Sequence, residues 1–198
     1  MSESAVSLRE QRVRETERAL RRRARELTAE GGLGGFTVDE LCTDVGVSRR
    51  TFFNYFATKE NAVLGLPVRA DSAEQDRAFV EGSGDLLDDL VVLLVARWES
   101  SDMTRDEIPL VFAAVEREPA LHRHFMAHLL DAERSDAALI VERQGWALDD
   151  DRALLAVRIV GALMKSTGEE FFRSDGETAF VDILRRHLSA ARALFAAA

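Results

Sequence analysis

Arg49, Arg50, Thr51, Phe53, Asn54 and Tyr55 crowd into residues 49–55 of the chain, and their chemistry is that of recognition. A guanidinium can grip a guanine edge with two parallel hydrogen bonds. A hydroxyl or an amide can meet a phosphate oxygen, and an aromatic face can lie against a thymine methyl. A surface of this composition suits a helix that enters the DNA major groove. It works only if a rigid scaffold holds these side chains on one outer face.

The flanking residues supply that scaffold. Thr37 is a natural N-cap, and Glu40 three residues later completes a capping box for a helix over Val38–Val45. Val38, Leu41, Cys42 and Val45 recur at helical spacing along one side of it. Gly46 ends that helix, where the chain needs a positive φ, and Val47 fills the angle of the turn. Ser48 caps a second helix over Arg49–Phe56, in which Phe52 and Phe56 face inward, and Thr58 caps a further helix over Lys59–Leu66. Two short helices joined at Gly46-Val47-Ser48, about residues 37–56, make a helix-turn-helix. Ahead of them a longer helix is expected from Leu8 to Glu30, with Val13, Leu20, Ala24 and Leu27 inward and arginines elsewhere.

With this spacing the stretch GVSRRTFFNYFATKE resembles the tetracycline-repressor (TetR) family of bacterial transcriptional regulators. The resemblance covers about residues 9–66. It implies a DNA-binding helix-turn-helix domain there and a larger helical ligand-binding and dimerisation domain over 67–198. It implies that Thr37 and Lys59, at helix N-termini, meet phosphates, and that Arg49 and Arg50 reach base edges, with Ser48 and Asn54 on the same surface. Thr51, Phe53 and Tyr55 fall where members touch the DNA backbone or thymine methyls. Phe53 replaces a commoner tyrosine, so a phosphate hydrogen bond is lost at that position.

Composition agrees with an all-α protein that binds DNA at one end. Three prolines and long runs of Ala, Leu, Glu and Arg favour helix throughout, and no stretch alternates as a strand does. The net charge is −9, but residues 1–66 carry eleven Lys/Arg against ten Asp/Glu, so the acidity belongs to the remainder. Arg9, Arg12, Arg14, Arg18, Arg21, Arg22, Arg23 and Arg25 form a basic stretch beside the reader. A lone cysteine, Cys42, rules out an internal disulfide and a Cys-based zinc cluster. There is no signal-peptide pattern and no membrane-length apolar run, so a cytoplasmic protein without a membrane partner is expected.

Pro67 and the polar stretch from Asp71 to Gly84 mark the expected end of the small domain. Beyond it, helices are expected at Leu86–Glu99, Glu107–Arg117, Pro119–Gln144, Asp150–Arg173 and Glu177–Ala197. Trp98, Phe112, Phe125, Met126, Trp146 and Met164 are large apolar residues that either line a ligand pocket or fill a core. Arg97, Glu116 and His128 are candidate polar members of such a pocket. Val157, Val160, Gly161, Phe172, Phe180, Ile183, Leu184 and Leu188, with Phe171 and Phe195, offer a surface for a two-fold four-helix interface, or again intramolecular core. His124 and His128 are four apart, with His122 nearby, but neither a zincin Glu nor a Cys accompanies them, so ordinary histidines are expected. No nucleophile–base pair or phosphate-cradling loop is legible, and neither catalytic residue, cofactor nor metal is expected. The leading expectation is a homodimeric repressor that binds a palindromic operator on double-stranded DNA and is released by a small apolar effector. The alternatives are an all-α enzyme, metal-dependent or otherwise, and a helix-turn-helix interaction protein without an effector.

Overall fold

The computed structural model describes residues 2–68, 72–100, 103–104, 106–174 and 178–196; the side chains of residues 2–7, 9, 10 and 195 are outside the description. The part of Phe195 in the expected interface or core surface and that of Arg9 in the basic stretch therefore fall outside it, as do the helix ends at Glu177 and Ala197. Among the described residues the regular structure is entirely helical. The helices are α1 (Ser2–Gly31), α2 (Val38–Val45), α3 (Arg49–Tyr55), α4 (Lys59–Leu64), α5 (Ala73–Glu81), α6 (Leu86–Ser100), α7 (Glu107–Arg117), α8 (Pro119–Gln144), α9 (Asp151–Arg173) and α10 (Phe180–Ala196). A short 3₁₀ turn, Leu33–Gly35, links α1 to α2.

Three departures from the sequence reading have plain physical reasons. The polar stretch expected as a boundary contains α5, anchored by a buried Phe79 whose ring lies 4.8 Å under the Arg143 guanidinium. One aromatic anchor in a nine-residue polar helix is too weak a pattern to read as periodicity. Secondly, α4 stops at Leu64, where Gly65 takes φ 77° and returns its N–H to the Ala62 and Asn61 carbonyls. Thirdly, the inward face of α1 is rotated from the expected one. Leu20 and Ala24 are buried, but Val13 is exposed, while Arg21, Arg25 and Thr28 are buried.

The chain divides into two compact units, Met1–Ala70 with Met103–His128, and Asp71–Asp102 with Leu129–Ala198. This differs from a division at residues 66/67. In the first unit Leu20, Ala24, Leu33, Phe36, Leu41, Phe52, Phe56, Val63 and Leu64 form one core that also takes in Val111, Val115 and Leu121 of α7 and α8. Phe52 and Phe56 are completely buried, each worth roughly 1.5–3 kcal/mol of transfer free energy. In the second unit α5, α6, α9, α10 and the later part of α8 enclose Phe79, Leu90, Val91, Leu93, Ile140, Val157, Val160, Leu184 and Leu188. The partly buried arginines of that unit are paired, while the buried Oε1 of Gln75 has no hydrogen-bond partner. Arg97 binds Asp136 and Asp76. Arg143 binds Asp89 and the carbonyls of Phe79 and Gly84. Burial pushes the Asp136 carboxyl up despite the Arg97 hydrogen bond that opposes the shift.

Candidate nucleic-acid interface

The turn between α2 and α3 follows directly from its residues. Thr37 Oγ1 accepts from the Glu40 N–H, and the Glu40 carboxylate accepts from the Thr37 N–H at 2.7 Å, so the expected capping box is present. Gly46 adopts φ 75° and the Val47 N–H closes on the Cys42 carbonyl at 3.0 Å. Ser48 Oγ accepts from the Thr51 N–H at 3.0 Å and is 2.8 Å from the Thr51 hydroxyl. Cys42 lies buried beneath, and burial pushes its thiol up, so it stays protonated as a core side chain.

On α3 the outer face presents Arg49, Arg50, Phe53 and Asn54, all exposed, with Ser48 and Thr51 at the edge of the turn. Arg50 is exposed and has no ion-pair partner among the described residues. Arg49 is engaged: its Nη1 donates to Asp39 Oδ1 of α2 at 2.8 Å, and its guanidinium sits 5.3 Å from the Phe53 ring centroid. Both partners are largely exposed, so the pair is weak and exchanges readily for a stronger acceptor.

Two residues sit differently from the sequence expectation. Tyr55 is half-buried against the core of the first unit, and its carbonyl accepts from the Val68 N–H at 2.7 Å. It faces inward because α3 has barely two turns, and Phe52 and Phe56 draw the neighbouring side of the helix into the core. Lys59 directs its ammonium at the protein. Nζ donates to the carbonyls of Leu33 and Phe36 at 2.6 and 2.9 Å and lies 5.0 Å from the Phe36 ring centroid. The 3₁₀ turn Leu33–Gly35 leaves those acceptors unpaired by its own backbone, and Lys59 answers them.

Other positioning residues were not legible from sequence. Arg25 is nearly buried: its Nε donates to the Val63 carbonyl at 2.8 Å and its Nη1 to Glu107 at 2.7 Å, joining α1 to α4 and α7. The signal available was its place one residue past Ala24 on the inward face. His124 of α8 lies 2.6 Å from Asn61 Oδ1 of α4. A carbonyl oxygen can only accept, so Nε2 carries the proton. Asn61 also accepts from the Thr58 hydroxyl and donates to the Leu66 carbonyl.

The six aromatic and Met residues considered for a pocket are divided between the units. Phe112 and Phe125 stack edge to face in the first unit, where Met126 is exposed. Trp98 stacks on Phe180 in the second, Trp146 lies under Arg152, and Met164 packs against the core. Five of the eight residues considered for the dimer surface, Val157, Val160, Ile183, Leu184 and Leu188, are buried inside their own chain. They cannot offer a contact face. Gly161 is exposed, and Phe172 and Phe180 are half-buried. The structure also assembles a threonine, histidine and carboxylate in series. Thr167 Oγ1 is 3.0 Å from His187 Nδ1, whose Nε2 is 3.2 Å from Glu170. Thr167 is fully buried, so no substrate carbonyl reaches its hydroxyl, and the trio forms a polar seam between α9 and α10. Among the described residues no three His, Cys, Asp or Glu side chains are grouped to hold a metal ion, and no helix is long and apolar enough to cross a membrane.

A capped α2, a glycine turn and an α3 bearing exposed arginines define a helix-turn-helix protein of the DNA-binding class. Residues 20–64 match the model of the bacterial regulatory proteins of the tetR family. The HTH-type transcriptional regulator TcmR of Streptomyces glaucescens is 29% identical over 181 residues, spanning 85% of this chain and 78% of that protein. The family match thus covers the helix-turn-helix part of the chain, residues 20–64, and the chain as a whole is similar to an HTH-type transcriptional regulator. A solved structure of a TetR-family regulator from Mesorhizobium loti MAFF303099 covers 94% of this chain and 98% of its own, at 19% identity and a TM-score of 0.49.

Proposed function

We propose that the protein is a homodimeric repressor that reads a palindromic operator through α3 and leaves it when a small molecule binds. The observation that carries the reading is the solvent-facing group Arg49, Arg50, Phe53 and Asn54 on a helix whose other side is anchored by Phe52 and Phe56. Arg50 and, once released from Asp39, Arg49 take base edges. Thr37, Ser48 and Thr51, at the N-terminal ends of α2 and α3, meet phosphates.

A single helix-turn-helix buries too little surface for tight specific binding, which favours a two-fold dimer on two half-sites about 34–36 Å apart. The face left open on α9 supports that assembly. Leu155, Gly161, Ala162, Lys165 and Ser166 are exposed along one side, and small residues allow a partner helix to come close. The acidity concentrated beyond residue 66 suits a part that assembles and senses without touching phosphate.

Selection of bound fragments from a random DNA pool tests the reading. Recovery of an inverted repeat, with binding lost on Arg50→Ala and retained on an exposed control such as Glu142→Ala, supports it. Recovery of no enriched sequence dismisses it in favour of an interaction protein.

A further inference from the structure

We infer that the cleft between α1 and α7 is a binding site for a small amphipathic carboxylic acid. The inference rests on the reading of the chain as a ligand-responsive regulator, and it names the place and the chemistry of the ligand. The cleft encloses about 580 Å³, within the range of small-molecule sites. Its walls come wholly from the first unit, and none of the six aromatic and Met residues considered above lines it.

Its shape follows from two contacts. Arg25 meets Glu107 at the start of α7, and Gly32 lies against Glu118 just beyond its end, so α1 and α7 run alongside each other in the same direction. Between those ends the floor is Leu110 with Ala29, Ala113 and Ala114, whose short side chains leave space between the facing surfaces. Leu110 is 58% exposed, an apolar side chain with no protein over it. That stretch favours an apolar body.

The charges at the Arg25 end favour an acidic head. Its carboxylates are already answered. Glu26 is shared by Arg22 and Arg23, and Glu107 takes Arg25 together with the Thr104 N–H. One cation there has capacity left: Arg22 holds Glu26 only at 3.9 Å and is mostly exposed, so its guanidinium can turn to a new acceptor. At that end an entering carboxylate finds the donors of Arg22, whereas an entering ammonium finds Glu26 and Glu107 already paired. Arg25, at the same end, holds the Val63 carbonyl of α4, so a ligand seated there lies beside the junction with the helix that follows the recognition helix.

The probe is 1-naphthoate, titrated calorimetrically into the full-length protein, with 1-naphthamide as the uncharged control. Ala113→Trp fills the cleft from an exposed position and should weaken binding by about tenfold or more. Arg22→Glu, also at an exposed position, should weaken the acid and leave the amide unchanged. The amide itself should bind about tenfold less tightly than the acid. Leu110→Asp repeats the test on the floor should Ala113→Trp melt early. Equal binding to wild type and to both cleft variants, equal affinity for acid and amide, or no binding at millimolar acid would each overturn the site. DNA is then scored separately, on a fragment selected by the protein. Release by 1-naphthoate from wild type but not from Ala113→Trp supports the link to regulation. Binding in the cleft without release overturns that link and leaves the site standing.

Discussion

The Nε of Arg25 donates to the main-chain carbonyl of Val63 at 2.8 Å, so a side chain of α1 is seated in the helix that follows the recognition helix. The same guanidinium reaches Glu107, and burial lowers its own pKa against the support of that carboxylate. A nearly buried cation with two committed acceptors is a junction: α1, α4 and α7 all meet at it.

Arg25→Met should therefore destabilise the protein by about 3–5 kcal/mol, because it leaves the Glu107 charge and a main-chain carbonyl without their donor. Urea unfolding measures this, and a change within about 0.5 kcal/mol would mean that the junction is idle. A double-mutant cycle with Glu107→Gln isolates the pair from the Val63 contact.

Glu107 sets part of the acid limit. Burial raises its carboxyl, but the Thr104 N–H and the Arg25 charge together outweigh that and hold it below the usual carboxylate range. A folded pKa below the unfolded one means that the contribution is present above the ordinary Glu value of about 4.3 and is lost as pH falls below it. The wild-type stability curve should fall more steeply there than that of Glu107→Gln. Parallel curves below pH 5 would remove Glu107 from the account.

Lys59 and Arg50 should separate folding from reading. Lys59→Ala takes the donor from two carbonyls and should cost about 1–3 kcal/mol of stability. Arg50→Ala should leave the melting temperature unchanged and cost about 1–3 kcal/mol of operator affinity, with specificity relaxed at one base pair. Should Lys59→Ala instead melt like wild type and flatten the salt dependence of DNA binding by about one unit, its ammonium is a phosphate contact.

Assembly can be told from folding at α9. Leu155 is 53% exposed and Val160 is fully buried. Leu155→Glu should give a folded monomer that binds its operator weakly, by sedimentation and circular dichroism. Val160→Asp should unfold the chain, since it places a carboxylate in the core. A Leu155→Glu protein that sediments as the wild type does would move the interface elsewhere.

Much of the first unit was legible because its determinants are local. Caps, glycine turns and a pair of phenylalanines four apart act within a few residues, so Thr37, Gly46, Ser48, Phe52 and Phe56 announce their own geometry. The bounds of α2, α7 and α8 are also those expected from sequence. The helix α5 was hidden because its one buried anchor, Phe79, acquires meaning only beside Arg143, 64 residues away.

What the amino-acid sequence determined by itself is the helical class, the helix-turn-helix and the exposed arginines of α3, each set by short-range backbone and packing preferences. Only the tertiary structure decided which charges are available to a partner. Arg21 and Arg25 read in sequence as part of a basic surface, yet are buried in the core, and Lys59 is turned onto the carbonyls of Leu33 and Phe36. Tertiary packing likewise decided that Val160 and Leu184 are interior rather than interface. The physical reason is the same in each case. A long cationic side chain or an aliphatic one has no intrinsic address. Its burial depends on acceptors and neighbours brought from far along the chain, and no local pattern encodes those.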